Sequence, residues 1–277
     1  MSALKMDGKV IAERIRKEIA DKVAKLSTPI GLGTILVGSD PGSVAYVDGK
    51  HKDCAQVGIK SIKVNLPDSV LTADVVAAVN KLNQDPNCTG FIVQLPLPSG
   101  IDVQEVLSAI DPKKDADGLT PTNLGNLVLS FNEIIPCTPK AIVALLSEYK
   151  IKLSGAKVLI IGRGLTVGRP LSILLSQKAI NATITLAHSA TSNLSALIKE
   201  SDVVIAAIGS AHFIKPEMVK PGAVIVDVGI TRVDDKLVGD VDPTVAQIAS
   251  AMAPMPGGVG PMTRAMLLMN VVDACER

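Results

Sequence analysis

Tryptophan is absent from this chain, and its 277 residues include only two tyrosines and three phenylalanines. Proteins that hold single-stranded nucleic acid stack bases on aromatic rings, so a chain this poor in rings argues against that use. An excess of charge of one sign is lacking too. The 28 Lys and Arg stand against 27 Asp and Glu, with no basic block. This speaks against nucleic acid or an acidic membrane as a partner. No apolar run is long enough to span a bilayer. The N-terminus has no signal-peptide pattern, because Lys5, Asp7, Lys9, Glu13 and Arg14 interrupt its apolar residues. Cys54, Cys88, Cys137 and Cys275 form no C-x-x-C pair and read as reduced, mostly buried thiols of a cytoplasmic protein. His51, His188 and His212 show no metal-ligand spacing, so no metal is expected.

What the chain has in quantity is branched aliphatic side chain, which suits the buried strands of a parallel α/β sheet. Its length allows two modest domains. Val10, Ile11, Ile15, Ile19 and Val23 recur at helical spacing, so a helix is expected from Lys9 to Leu26. Strands and helices then alternate. Strands are expected at Gly33 to Val37, Ser61 to Leu66 and Gly90 to Leu95, the last stopped by Pro96 and Pro98. Helices are expected at Val44 to Val57 with Ser43 as N-cap, at Ala73 to Asn83 with Thr72 as N-cap, and at Val103 to Ile110. Pro136-Cys137-Thr138-Pro139 marks a boundary, and Lys140 to Tyr149 reads as the helix that begins a second domain. Its strands are expected at Val158 to Ile161, Thr183 to Ala187, Asp202 to Ile208 and Ala223 to Val228. A final helix, Arg264 to Ala274, is expected to pack back on the first domain.

The run Val158 to Ile161 ends in Gly162-Arg163-Gly164, with Val167-Gly168 opening the next helix. Strand, glycine turn and helix N-terminus together present backbone N–H groups to an anion, and glycine lets a pyrophosphate approach the backbone. The spacing G-x-G-x-x-x-G is one residue longer than the commonest dinucleotide fingerprint, and a plain β–α turn is the alternative. No acidic residue occurs between Gly162 and Lys199, and the second strand ends at His188-Ser189. A ribose-binding carboxylate is therefore missing, and Arg163 can face a 2′-phosphate. This favours NADP over NAD.

Four further features bear on chemistry. Tyr46 and Lys50 are one helical turn apart, and a lysine beside a tyrosine does acid–base work if its ammonium is desolvated; a solvated lysine is the alternative. Gln94 ends a buried strand, where ligands gather in α/β sheets, or merely terminates it. The D-x-D-G run of Asp115 and Asp117 either binds a polar ligand or is a solvated turn, since the rest of a calcium loop is missing. Pro254 to Thr263 carries three prolines and three glycines and reads as a stiff loop, neither helix nor ladder, that clamps a ligand or links domains.

Taken together, the chain closely resembles the bifunctional methylenetetrahydrofolate dehydrogenase/cyclohydrolase family. The resemblance rests on Val37-Gly38-Ser39-Asp40-Pro41 with Tyr46, Lys50 and Lys52, on Val93-Gln94-Leu95-Pro96-Leu97-Pro98, and on Lys114-Asp115-Ala116-Asp117-Gly118. It continues through Pro136-Cys137-Thr138-Pro139, Gly162-Arg163-Gly164, His188-Ser189, Asp227-Val228-Gly229-Ile230, Gly239-Asp240-Val241 and Pro256-Gly257-Gly258-Val259-Gly260-Pro261-Met262-Thr263. Gly164 stands where the family often has serine, and Thr231 where asparagine is usual.

The resemblance implies two α/β domains, the second a Rossmann-type parallel sheet binding NADP, with a cleft between them. Residues 1–139 plus 256–277 would bind folate and 140–255 NADP. It implies a homodimer that oxidises methylenetetrahydrofolate with NADP and then hydrolyses the methenyl product to formyltetrahydrofolate. By the same resemblance Lys50 is the catalytic lysine, Tyr46 stacks on the folate, Gln94 adjusts the lysine and Asp117 grips the pterin. Leu95, Pro256, Gly257 and Gly258 complete the substrate site. Gly162, Arg163, Gly164, Val167, Gly168, His188, Ser189, Gly209, Ile230 and Thr263 hold the cofactor. Two other readings compete: an NADP-dependent dehydrogenase of the shikimate or amino-acid type, and a non-catalytic NADP-binding sensor.

Overall fold

A computed structural model describes residues 2–131, 133–234 and 236–275. In chain order the elements are β1 (Leu4–Lys5), α1 (Gly8–Val23), β2 (Gly31–Val37), α2 (Pro41–Val57), β3 (Lys60–Leu66), α3 (Thr72–Gln84), β4 (Gly90–Val93), α4 (Val103–Ser108), α5 (Pro121–Val128) and α6 (Cys137–Glu148). There follow β5 (Lys157–Ile161), α7 (Gly168–Ser176), β6 (Thr183–Ala187), α8 (Leu194–Glu200), β7 (Val203–Ala206), β8 (Val224–Asp227), β9 (Thr231–Val233), β10 (Lys236–Val238), β11 (Ala251–Ala253) and α9 (Val259–Cys275). They form two compact α/β units. One comprises the described residues of Glu13–Asn126, Phe131–Cys137 and Arg264–Arg277; the other comprises those of Met1–Ala12, Leu127–Ser130 and Thr138–Thr263.

The first unit is built on a three-stranded parallel sheet in the order β3-β2-β4. Central β2 is buried along its whole length, which its Leu32, Ile35, Leu36 and Val37 permit. Gly33 allows the neighbouring strand to close in, since a Cβ there would stand only 2.7 Å from Phe91 Cβ. On α3, Val75, Ala78, Val79 and Leu82 make the buried stripe expected of an amphipathic helix. The N-cap of α2 is Asp40, not Ser43: its carboxylate accepts from Ser43 N at 2.7 Å. Pro41 explains the earlier start, because its fixed φ and missing N–H suit the first helical position. At the other end Gly58, at φ +78°, supplies the left-handed cap.

The second unit is a six-stranded parallel sheet in the order β1-β11-β8-β7-β5-β6. Strands β7 and β8 are buried throughout, as a sheet covered on both faces requires. Leu159, Ile161, Val204, Ala206 and Ile225 belong to its apolar core. Two strands exceed the four expected: β11, and β1 from the start of the chain, which pairs Leu4 with Ala251. Met1–Ala12 and Pro256 to Thr263 thus group with this sheet, unlike the division drawn from sequence at 139 and 256. Helix α9 begins at Val259, not after Thr263, so the second half of the proline–glycine stretch is helical. Pro261 falls in the first turn, where a missing N–H costs nothing. Pro139 has the same position in α6, which starts at Cys137 rather than Lys140. Helix α5 and the antiparallel β9–β10 hairpin had no sequence counterpart.

Candidate active site

Helix α2 and the end of β4 bring three polar side chains together in the first unit. Lys50 is 5 % exposed, and its Nζ donates to Gln94 Oε1 at 3.0 Å. The same Nζ lies 4.7 Å from the centre of the Tyr46 ring, within cation–π range. Gln94 continues the ladder past β4, its backbone N donating to Ile35 O at 2.8 Å. Its Nε2 donates to Leu95 O at 2.6 Å, which fixes the amide so that Oε1 faces the lysine. Lys52, by contrast, is exposed.

Asp117 completes the group, and the loop that presents it is held by Asp115. Asp115 is buried and accepts from Gly118 N, Thr120 N and Asn123 Nδ2, each at 2.8 Å. Phe91 N donates to Lys114 O and Ala116 N donates back to Phe91 O, so the loop runs beside β4 as a short parallel bridge. The D-x-D-G spacing alone made the two aspartates equivalent, and only the family resemblance singled out Asp117; the structure makes Asp115 the brace and puts Asp117 in the field of Lys50. Asp117 also bonds the Cys137 side chain, a neighbour that sequence reasoning did not single out.

Burial dominates the electrostatics here. It holds the Lys50 ammonium below its usual range, with Arg264 adding to the effect and Asp117 and Cys137 opposing it. Burial raises the Asp117 carboxyl, against the pull of Lys50. Burial also raises the Tyr46 phenol, with Asp117 second. An amine pushed down and a carboxyl pushed up both favour the neutral forms, which is the condition for moving protons near neutral pH.

The second unit carries the glycine turn. Gly162 ends β5 at φ +114°, and a Cβ on it would overlap Ala207 O. A Cβ on Gly168 would overlap Gly162 O. These glycines close the turn. Gly164 is different: it is exposed, and a Cβ there would meet nothing within 4 Å. Val167 caps α7 without a side-chain hydrogen bond, so no side chain blocks the first turn. Exposed Arg163 beside an open, uncapped turn fits a dinucleotide phosphate. His188 and Ser189 follow β6, and His188 N donates to Thr191 Oγ1 at 2.9 Å. Thr263 lies on α9 and donates to Val259 O at 3.2 Å. In the loop after β11, Gly8 N donates to Gly257 O at 3.0 Å, and a Cβ on Gly258 would come within 2.7 Å of Pro254 O. Pro256, Gly257 and Gly258 therefore belong structurally to this unit.

A buried acid pair, named in the sequence only within the family motifs and given no role there, organises the loop that holds Gly209. Asp240 is fully buried and accepts from Ile208 N and Ser210 N, each at 2.7 Å, and from Gly209 N at 3.3 Å. Asp227 accepts from Asp240 N at 2.8 Å and from Val241 N at 3.2 Å. Burial first, and the Asp240 carboxylate as well, raise Asp227 to about 7. The folded state therefore holds this proton up to about neutral pH, while the unfolded chain loses it near the usual carboxylate value. Stability contributed here falls as pH rises through that window, by up to about 1.4 kcal/mol per unit, and levels off above it. The melting temperature of the protein minus that of Asp227→Asn should decline between about pH 4 and 7. A difference that stays flat across the window would refute the assignment.

Among the described residues no three His, Cys, Asp or Glu cluster so as to hold a metal ion. No helix of the described residues is long and apolar enough to cross a membrane.

Two family models match the chain in succession. Residues 6–117 match the model of the tetrahydrofolate dehydrogenase/cyclohydrolase catalytic domain, and residues 136–277 match that of the tetrahydrofolate dehydrogenase/cyclohydrolase NAD(P)-binding domain. The bifunctional FolD methylenetetrahydrofolate dehydrogenase/cyclohydrolase of Campylobacter jejuni is 39% identical, with 99% of each chain covered and a TM-score of 0.95. The Trypanosoma brucei N5,N10-methylenetetrahydrofolate dehydrogenase-cyclohydrolase, solved with NADP and an inhibitor, is 37% identical over 100% of this chain and 98% of its own, with a TM-score of 0.96. A shikimate 5-dehydrogenase from Thermus thermophilus is 12% identical over 90% of this chain and 99% of its own; its TM-score of 0.54 marks a shared fold alone.

Proposed function

The chain belongs to the tetrahydrofolate dehydrogenase/cyclohydrolase family, and from that premise we propose how its residues share two reactions. It is a methylenetetrahydrofolate dehydrogenase and a methenyltetrahydrofolate cyclohydrolase. The observation that carries the assignment of roles is the buried contact between Lys50 Nζ and Gln94 Oε1.

In the oxidation step the folate loses a hydride from its methylene carbon and becomes a resonance-stabilised methenyl cation. NADP, when bound, accepts that hydride. The protein's task here is orientation. Tyr46 stacks on the folate, Asp117 grips the pterin, and Leu95 with Pro256, Gly257 and Gly258 lines the remainder. In the hydration step water adds to the methenyl carbon. Lys50, as the free amine, takes a proton from that water. The Lys50 ammonium returns that proton to the departing ring nitrogen as its bond to carbon breaks. The carbinol hydroxyl releases its own proton to water as the carbonyl forms, leaving formyltetrahydrofolate and one proton in solution. Gln94 holds the amine in place, and burial favours the free amine over the ammonium.

We assign the cofactor to Gly162, Arg163, Gly164, Val167, Gly168, His188, Ser189, Gly209, Ile230 and Thr263. The NADP held by the Trypanosoma relative supports NADP over NAD here, as does the lack of an acid after β6. Arg163→Ala should weaken NADP selectively, by about 1–3 kcal/mol for one charge-assisted contact. Equal Michaelis constants for NADP and NAD in the unmutated protein would sink that preference. We further place the protein in the cytoplasm as a homodimer supplying formyltetrahydrofolate to purine biosynthesis. The half-exposed Val233 and Leu237 of the β9–β10 hairpin supply apolar surface for a dimer to bury.

One assay tests the whole reading. With methylenetetrahydrofolate and NADP, NADPH absorbance should rise and methenyl absorbance should appear and decay. NADPH formation with shikimate instead would overturn it.

A further inference from the structure

A second charged pair stands beside Lys50 and has no part in the reactions as set out above. Asp53 follows Lys50 by three residues on α2, so the two share a helix face, and it is buried. Arg264, in the second turn of α9, brings its Nε to 3.1 Å from Asp53 Oδ2. That oxygen accepts no aligned hydrogen bond, so the contact is chiefly between charges. The guanidinium lies across α2 at Gly49, where a Cβ would overlap Arg264 Nη1. Glycine at 49 is therefore what lets an arginine lie against the helix one residue before Lys50, whose amine feels its charge. Arg16 on α1 acts on the same carboxylate and has its Nη1 buried without a partner.

A half-buried arginine whose charge reaches a buried ammonium is unfavourable for that ammonium. A guanidinium does not titrate, so the penalty falls on Lys50. We infer that Asp53 and Arg264 are positioning residues of the cyclohydrolase step: they fix a permanent cation against α2 beside Lys50 and set the pH at which Lys50 becomes the free amine. The inference rests on Lys50 being the proton acceptor in hydration. The sign follows from the surroundings. Asp117, from the loop after α4, and Cys137, at the head of α6, favour the ammonium; Arg264 opposes it. Tyr46 and Gln94 face the amine uncharged. Cys54, on α2, is raised to about 11 by burial and is also neutral. Asp53 neutralises part of the Arg264 charge and so limits its effect.

The experiment is the pH profile of methenyltetrahydrofolate hydrolysis, measured without NADP and corrected for the uncatalysed rate. Activity should rise with pH as Lys50 loses its proton. Arg264→Met removes the cation and should move that rise to higher pH by at least about half a unit. Asp53→Asn leaves the cation uncompensated and should move it to lower pH. Arg264→Lys, which keeps the charge, should restore most of the profile. Opposite shifts from two members of one ion pair are not what simple loosening of the fold produces. Gly49→Ala, which pushes the guanidinium off the helix while keeping every charge, reproduces the Arg264→Met shift and serves if Asp53→Asn does not fold. An unmoved profile in Arg264→Met, or shifts of the same sign in both variants, overturns the inference. Lys50→Met separates this from the underlying reading. If it retains hydrolysis, the assignment of Lys50 falls and the inference with it; if it abolishes hydrolysis while the Arg264→Met profile stays put, only the inference falls.

Discussion

Lys50→Met should abolish hydrolysis of methenyltetrahydrofolate and leave measurable dehydrogenase activity, so that the methenyl compound accumulates. Methionine keeps most of the lysine's volume in a site where Lys50 is almost wholly buried. What it removes is the nitrogen that donates to Gln94 Oε1 at 3.0 Å and sits over the Tyr46 ring. Loss of a general acid–base group costs about a hundred- to ten-thousand-fold. Hydride loss needs no such group and depends on orientation, the role proposed for Tyr46 and Asp117, which the variant keeps. Gln94 Oε1 loses its donor, and a buried acceptor left unmet costs about 1–3 kcal/mol, so the variant should also melt earlier. Lys52→Met, at an exposed position two residues on, should change neither rate appreciably. Normal hydration by a folded Lys50→Met protein would show the role of Lys50 to be wrong.

Gly168→Ala should do the reverse, removing dehydrogenase activity and sparing the cyclohydrolase. A Cβ at 168 would overlap Gly162 O, and Gly162 has no room to yield. It is held at φ +114° with its own α-hydrogen side closed by Ala207 O. The turn between β5 and α7 must therefore deform. A displacement of about 1 Å in a positioning element costs on the order of a hundredfold in rate. Lys50, Gln94 and Asp117 belong to the other unit, so hydration should persist. Gly125→Ala, on α5 and outside the assigned sites, is the control, since a Cβ there meets nothing within 4 Å. Fluorescence titration with NADP and both activities on one preparation give the answer. An unchanged Michaelis constant for NADP in Gly168→Ala would rule out this turn as the phosphate cradle.

The regular parts of the fold were legible because their physics is local. Strands such as Thr183–Ala187 are uninterrupted β-formers between turn residues, and Tyr46 and Lys50 lie one turn apart on any helix through both. Gln94 could be placed because a strand end in a parallel sheet is a known meeting point for ligands. What escaped depends on partners distant in the chain. Asp115 and Asp117 look alike until three donors are seen around one of them. Arg264 and Asp53 share no local pattern. Asp240 is an ordinary acid after a glycine until the amides of 208–210 converge on it. Helices α6 and α9 began early because proline was taken as a stop signal, whereas in a first turn it is harmless.

Strand β1 pairs across the sheet with residues nearly the whole length of the chain away, and the other unit recruits Arg264–Arg277 in the same manner. During synthesis the six-stranded sheet lacks β11 until Ala253 has been made, and the other unit lacks its last part until the segment beyond Thr263 has been made. The early segment that becomes β2, α2, β3 and β4 can gather its sheet, but without α9 it lacks Asn270, which donates to Ala116 O and Ile135 O at 3.0 Å each. Asp115 and β4 brace the loop bearing Asp117 earlier, and Asn270 adds its last ties. Contacts of such long range close slowly, because the entropy of the intervening loop is lost before they form. Lys50 is thus on its helix before α9 brings Arg264 to Asp53 and Asn270 to Ala116, and the surroundings of the buried amine are complete only when α9 has docked.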